Sequence, residues 1–577
     1  MKKIFYTVAV LITAFVITGC QKTLEEEFRN PELPADPPAG NLFAGQFTGL
    51  LYQWKLYIKD YGEYWHENGG NGIGQYAQIN HRYITNRYAW YQNYNDLTNG
   101  QGFYSTSAQD GNSGAITQFN DHYTRMKEWA VMRDNIDQLP QQEQADNRIF
   151  YQLATIFKDV WSLRCVDLFN KIPYFDAYKA TQNVFFPKYD DPAEIYKAVL
   201  NNFKEIASSL PTTYNAMSAD AKALFTRHDI AFNGDAAKWV KYINAIRLQY
   251  AVKLAGVDQA TATPHIQEAL LDLPTTDLSF STYTTDNGGG GGTWLRGVFE
   301  RSFVHFIPEV IMRNINFGDS TYNPGIDDPR LPVLAIPTRF GDYKGVSMNT
   351  DSNARYYSDP NQRYYVGYDN LDAALAQNGK SIYNHATFAM NAPNFPAVMI
   401  TLAEIDLLKA EVALKTYGNT GKAAGDHIRD AVVNSCNWWY MINGRNAAYR
   451  PDRPVVHPVK SDADISTYAD VVRAKFNAAT GTENKMEVLM LQKYVHLNIS
   501  NTYELFAELR RTRHPRLDPF VYNNGAKMKP TPERLRYPAS ELQLNQEEYL
   551  KVAAESNYTD PIFWVPQDKR NVPYYSE

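Results

Sequence analysis

Apolar residues recur at three- and four-residue steps through several long stretches of this chain, and aperiodic segments separate those stretches. Over 116–139, Phe119, Tyr123, Met126, Trp129, Ala130, Met132 and Ile136 share one face, and Pro140 closes the run. A second helix is predicted over 143–168, with Phe150, Leu153, Phe157, Val160, Trp161, Arg164 and Leu168 along one side. A third, 192–210, is entered through Asp191-Pro192 as cap and first-turn proline and is expected to stop at Pro211. A fourth, 235–255, carries Trp239, Tyr242, Ile243, Ile246, Tyr250 and Leu254. The period returns at 396, where Met399, Leu402, Ala403, Leu407, Ala410 and Leu414 form a stripe that Gly418 should end. Further helices are predicted over 421–441, 463–478 and 484–510. Joined by short or medium loops, such helices stack as antiparallel hairpins, each leaning on the next. The helix–glycine–helix pattern at 396–441 has the form of a tetratricopeptide-style pair. The fold class predicted is therefore mostly α, a stack of helical hairpins broken by long irregular insertions.

Those insertions hold the candidate chemistry. Residues 41–115 open with a helix and then turn aromatic and Asn/Gly-rich: Tyr61, Tyr64 and Trp65, then Tyr83, Tyr88, Trp90, Tyr91 and Tyr94 among Asn and Arg. Residues 256–395 contain the glycine run Gly288 to Gly292 before Trp294, and then many scattered tyrosines. Consecutive glycines are costly to order, so that run marks either a loose loop or a close backbone approach beside a site. A long insertion with little regular structure in a compact body usually carries function. The helical scaffold is thus expected over 116–255 and 396–510, the loop-rich insertion over 256–395, and an irregular, proline-punctuated C-terminus beyond.

The N-terminus reads differently. Residues 1–19 combine Lys2 and Lys3, an apolar run of signal-peptide length and small or β-branched residues closing on Gly19-Cys20. The run is too short, and too soon followed by polar sequence, to span a membrane. Ile17-Thr18-Gly19-Cys20 resembles a bacterial lipoprotein box, which implies lipidation of Cys20 and a membrane anchor at the first mature residue. Residues 20–40, with several prolines and an acidic cluster, form an extended tether to a body over 41–577.

Composition narrows the function. The net charge of −6 argues against nucleic acid, whose phosphates need a basic face. Cys165 and Cys436 both fall inside helical patterns and are expected as buried free thiols rather than a disulfide. Aromatic residues reach 14%, with 41 tyrosines, and tyrosine offers a flat apolar face and a wet hydroxyl to a polar ligand. Catalytic signatures are missing. None of the eleven histidines lies in HExxH, and there is no GxSxG. Asn378-Gly379-Lys380-Ser381 has Ala374 where a P-loop needs its first glycine, and the glycine run lacks a βαβ context. No cofactor and no metal ligand cluster is indicated.

Several stretches together resemble the SusD/RagB-like nutrient-binding outer-membrane lipoproteins, in their second large branch. They are LFNKIPYFDA (168–177), DPAEIYKAVLNNFKEI (191–206), FNGDAAKWVKYINAIRLQYAVKL (232–254), PAVMITLAEIDLLKAEVAL (396–414), LMLQKYVHLNISNTYELFAELRRTRHP (489–515) and LRYPASELQLN (535–545). Departures occur at Asn170-Lys171, Tyr494 and Leu509, which look like core variants. The resemblance implies a tetratricopeptide-like body whose loops bind an oligosaccharide, with a peptide as the alternative ligand. It also implies a SusC-type TonB-dependent transporter as partner, and a lipid-anchored position at the cell surface. It supplies no ligand contacts residue by residue. The loop aromatics Trp65, Tyr88, Trp90, Tyr91, Trp294 and Tyr322 are the candidates for stacking on sugar rings, with Asn93, Arg296 and Asp328 as hydrogen-bonding partners.

Overall fold

In a computed structural model of the chain, the residues described are 39–53, 114–280, 307, 309–317, 321–345, 379–388, 396–445, 457–498, 500–516, 533–557 and 559–572. The signal segment, Cys20 and most of the tether lie outside them.

The first helix, α1, is Ala39–Gln53. The run expected as one helix over 116–139 is two, α2 (Gly114–Arg125) and α3 (Lys127–Ile136), kinked at Met126. Pro140 does not merely end that run; it is the N-cap of α4, Gln141–Phe169. Next comes α5, Pro192–Ala216, whose cap Asp191 accepts from the amides of Ala193 and Glu194. It runs through Pro211, correcting the predicted stop. Pro211 is exposed, and Tyr214 one turn on packs its ring 6.3 Å from Phe225, which anchors the extra turn. Two helices that the pattern did not predict follow its lead: α6, Ala219–His228, and, after α7 (Ala236–Ala255), α8, Gln259–Ala269.

Strand β1 (Leu278–Phe280) leads into the inserted region, which holds α9 (Glu309–Ile315), α10 (Leu331–Leu334), β2 (Ala335–Ile336), β3 (Ile382–Tyr383) and α11 (His385–Phe388). The apolar residues 397–400, expected to open a helix, form strand β4, antiparallel to β1 with Phe280 opposite Ala397 and Leu278 opposite Ile400. Helix α12 (Leu402–Lys415) then starts at Thr401, which closes a capping box with Glu404. It ends at Thr416 in the left-handed region, two residues before the predicted Gly418, which instead packs under Leu270 and Ile266. α13 is Ala424–Arg445 and α14 is Asp462–Ala478. The predicted long helix 484–510 is divided into α15 (Gly481–Leu497) and α16 (Thr502–Thr512), because Asn498 takes positive φ and Asn501 caps a fresh helix. Short helices α17 (Glu541–Leu544) and α18 (Gln546–Val552) follow, and single 3-10 turns at Ala553–Glu555 and Gln567–Lys569 lie in the segment beyond them.

The described structure is mostly helical, and helices adjacent in sequence pack on one another, as α4 on α5, α7 on α8, α12 on α13 and α13 on α14, while α5 also packs on α7 past the short α6. The main core is aromatic: Phe47 of α1 lies 5.7 Å from Phe150 and 6.1 Å from Trp239, ring centre to ring centre. Asp229 fixes the entry to α7 by accepting from the amides of Ala231, Phe232 and Gly234 and from the Trp239 indole. A second core is formed by α12, α13, α14 and α15, around Leu407, Ile428, Val432, Tyr468 and Leu489. Cys165 and Cys436 are buried and unbridged.

A continuous line of buried charge ties these helices together. Asp167 of α4 accepts from Tyr196, Tyr503 and Trp564 and pairs with Lys253 of α7. Lys253 pairs with Glu504 at 2.8 Å, Glu504 with Lys493, Lys493 with Glu508, and Arg511 with both Glu508 and Glu411. Every member has opposite charges on its flanks, which is what allows ionised groups to be buried at all.

Candidate functional site

The inserted region meets the second core through the turn 321–328. Asp327 closes that turn from inside: its carboxylate accepts from the amides of Phe317 (2.7 Å) and Asn323 (2.8 Å) and, more loosely, from Asn316 Nδ2. The Asp328 amide donates to the Ile315 carbonyl, so the end of α9 and the end of the turn are held together. Gly325, at φ +80°, supplies the left-handed residue the reversal needs.

Beneath the turn, Asp328 and Arg330 form a fully buried pair, with Arg330 Nη2 at 2.6 Å from Asp328 Oδ2 and Nε engaging both oxygens. The guanidinium continues to Ser435 of α13 (3.1 Å) and Gln492 of α15 (2.6 Å). Ser435 in turn bonds His496, whose other ring nitrogen reaches Thr401 at the head of α12. Tyr468 also hydrogen-bonds Asp328, and Tyr440 donates to the Pro329 carbonyl. The turn is therefore bolted to the helical body by charge and hydrogen bonds rather than by its own backbone.

What the turn displays is apolar. Phe317 is 49% exposed and Ile326 62% exposed, and Tyr322 between them is half-buried. Phe317 lies nearly parallel to Tyr468 of α14, at 6.4 Å and 29°. The Tyr322 hydroxyl is pushed up to about 12 by burial and then by the carboxylates of Asp464, Asp328 and Asp327, so it stays a donor at neutral pH. Asp327 thus gathers an exposed phenylalanine and a half-buried tyrosine around one turn, and side chains of that kind offer an apolar face and a polar handle to the C–H face and hydroxyl rim of a pyranose.

Of the residues predicted for the site, Tyr322 is on this patch. Asp328 is not a ligand group: it has no exposed surface and both its oxygens serve Arg330, which corrects that expectation. Trp65, Tyr88, Trp90, Tyr91, Asn93, Trp294 and Arg296 lie outside the described residues, as does the lipidation site Cys20. Phe317 is one of the aromatics of the 256–395 insertion but was not among the site candidates, and Ile326 was not noted. The signal that could have found them is their placement on either side of Tyr322-Asn323-Pro324-Gly325, a turn that must leave its flanks exposed. Among the described residues, a concavity between Thr401, Glu404, Trp438, His496 and Asn501 has a volume of about 10 Å³, room for one water and far too small for a sugar ring.

The model of the SusD-like_2 family, described as starch-binding and associating with the outer membrane, matches residues 71–538. The chain belongs to that family. Its fold is similar to that of solved SusD homologues. One from Bacteroides vulgatus is 19% identical with a TM-score of 0.62, over 92% of this chain and 99% of that one. A chitin-binding SusD homologue from Flavobacterium johnsoniae is 17% identical with a TM-score of 0.61, over 92% of this chain and all of the other. A protein described as chitin-binding is 20% identical with a TM-score of 0.62, over 90% of this chain and 99% of its own. No curated protein matches the sequence. The SusD-like assignment agrees with the mostly helical body, and the family span takes in both the scaffold and the inserted turn that carries Phe317 and Tyr322. Among the described residues no helix is long and apolar enough to cross a membrane.

Proposed function

We propose that this SusD-like protein captures oligosaccharides at the cell surface and passes them to a SusC-type TonB-dependent transporter without cutting them. The observation that carries the reading is the exposed Phe317–Tyr322–Ile326 patch, held rigidly by a buried ion pair, in a chain whose family is described as starch-binding. Relatives of the same fold described as chitin-binding support a glycan over other nutrients. Rings laid on an open aromatic surface gain modestly per unit, so affinity of about 10 μM to 1 mM is expected, growing with chain length. In this reading Trp65, Tyr88, Trp90, Tyr91 and Trp294 also stack on sugar rings, Asn93 and Arg296 hydrogen-bond their hydroxyls, Cys20 carries the lipid that keeps the protein at the outer membrane, and no cofactor takes part.

Affinity electrophoresis in gels containing soluble starch or a soluble chitin derivative tests the proposal. The protein should be retarded by at least one of them, and Phe317→Ala should relieve the retardation. Free migration in every glycan, together with saturable binding to peptides, would replace the reading with a peptide-binding one.

A further inference from the structure

Resting on that reading of the aromatic patch, we infer that Asp464 makes it selective by charge: the site admits neutral or amine-bearing glycans and turns away those bearing carboxylates or sulfates. Asp464 stands in the first turn of α14, three residues after the cap Ser461. A carboxylate at that position ordinarily folds back onto the cap's own amide. Ser461 does accept from the Asp464 amide, but no return bond from the Asp464 carboxylate is made among the described residues. The carboxylate is directed at the turn instead. A Cβ placed on Gly325 would lie 3.9 Å from Asp464 Oδ1, so the charge sits over the backbone between Tyr322 and Ile326.

Among the described residues, the charged groups near it are engaged with other partners. Asp328 is balanced by Arg330 within the buried pair. Asp327 receives its bonds from neutral amides. Lys460, the nearest cation in sequence, is held by Asp462 at 3.0 Å and Asn437 at 2.7 Å. Arg313 sits one turn before Phe317 and has interactions of its own. After burial, Asp464 is the group that most raises the Tyr322 hydroxyl, which agrees with its carboxylate facing the patch. A neutral sugar is indifferent to that charge, whereas an anionic sugar stacked on Phe317 or Tyr322 is repelled. Between unit charges a few ångströms apart in water the effect is about fivefold in affinity, and salt should weaken it.

The test is a calorimetric titration at low ionic strength with maltohexaose and chitohexaose, and with the same sugars after oxidation of their C6 hydroxyls to carboxylates. The wild-type protein should bind the better neutral sugar about fivefold or more tightly than its oxidised form. Adding salt should narrow that ratio, and Asp464→Asn should bring it close to one. A ratio near one in the wild type, or a ratio unchanged by salt and by Asp464→Asn, overturns the selectivity while leaving glycan capture intact. Failure of the wild type to bind either neutral sugar overturns the capture reading and this inference with it.

Discussion

At the scale of single residues, the structure separates groups that look alike in the sequence. Asp327, Asp328 and Asp464 are all loop or helix-end acids near aromatic residues. One closes a turn, one neutralises a buried guanidinium, and one faces the patch. Both Asp327 and Asp328 are fully buried, and nothing in Asp327-Asp328-Pro329-Arg330 tells which one meets the guanidinium, because Arg330 is placed by α13 and α15, more than a hundred residues away. Removing one partner strands the other: Arg330→Ala should cost about 3–5 kcal/mol, read as a fall in the urea midpoint at unchanged slope. Histidines give a pH prediction. Burial holds His122 down to about 3 and His265 and His427 down to about 4, so all are neutral in the native state at pH 7. Their folded values lie below the unfolded value near 6.5, so the unfolded chain takes up protons first as pH falls. Their contribution is complete above about pH 6.5 and is lost as pH falls, down to about 4 for His265 and His427 and about 3 for His122, at about 1.4 kcal/mol per pH unit for each proton. His122→Gln should flatten the stability–pH slope over that window; a slope identical to wild type would contradict the assignment.

At the scale of elements, periodicity located the long helices because a stripe of large apolar residues can be satisfied only by burial on one side. The stretch 236–255 is the clearest case, with cap, stripe and end all where the pattern put them. The failures share a cause, which is that local signals were outvoted by packing. Pro211 should have ended α5 but lies on its exposed side, while Tyr214 gains a core contact. Residues 397–400 look helical but complete a two-stranded sheet with a segment 120 residues earlier, a pairing no window can see. The candidate site was legible only in outline. The insertion and Tyr322 could be read from aperiodic, aromatic sequence, but Phe317 and Asp464 belong to the site through the meeting of α9, the turn and α14. A local test of the turn chemistry lies at the entry to α7. Gly234 has φ +78°, and a Cβ there would lie 2.9 Å from the Thr226 backbone and 2.7 Å from its hydroxyl. Gly234→Ala should therefore destabilise by about 1–3 kcal/mol, measured by thermal unfolding, whereas Gly45→Ala, in the open interior of α1, should stabilise by about 0.5–1 kcal/mol.

At the scale of the whole molecule, the charge line from Asp167 to Glu411 joins α4, α7, α12, α15 and α16 into one frame, on which the inserted turn is mounted through Arg330, Ser435 and Gln492. Lys253→Met leaves Asp167 and Glu504 short of their common cation and should cost about 3–5 kcal/mol in chemical denaturation. A frame so heavily cross-linked keeps the aromatic patch in place before any ligand arrives, which limits the ordering that weak binding must offset. The most direct test of capture without cleavage is isothermal calorimetry of the lipid-free protein with α-glucan and chitin oligosaccharides of increasing length, beside the Phe317→Ala/Tyr322→Ala double variant. The account predicts heats that return to baseline after each injection, affinity that rises with the number of sugar rings, and about tenfold weaker binding by the variant. Heat that persists as the sugar is consumed, or equal affinity for one ring and six, or a variant that binds like wild type, would contradict it.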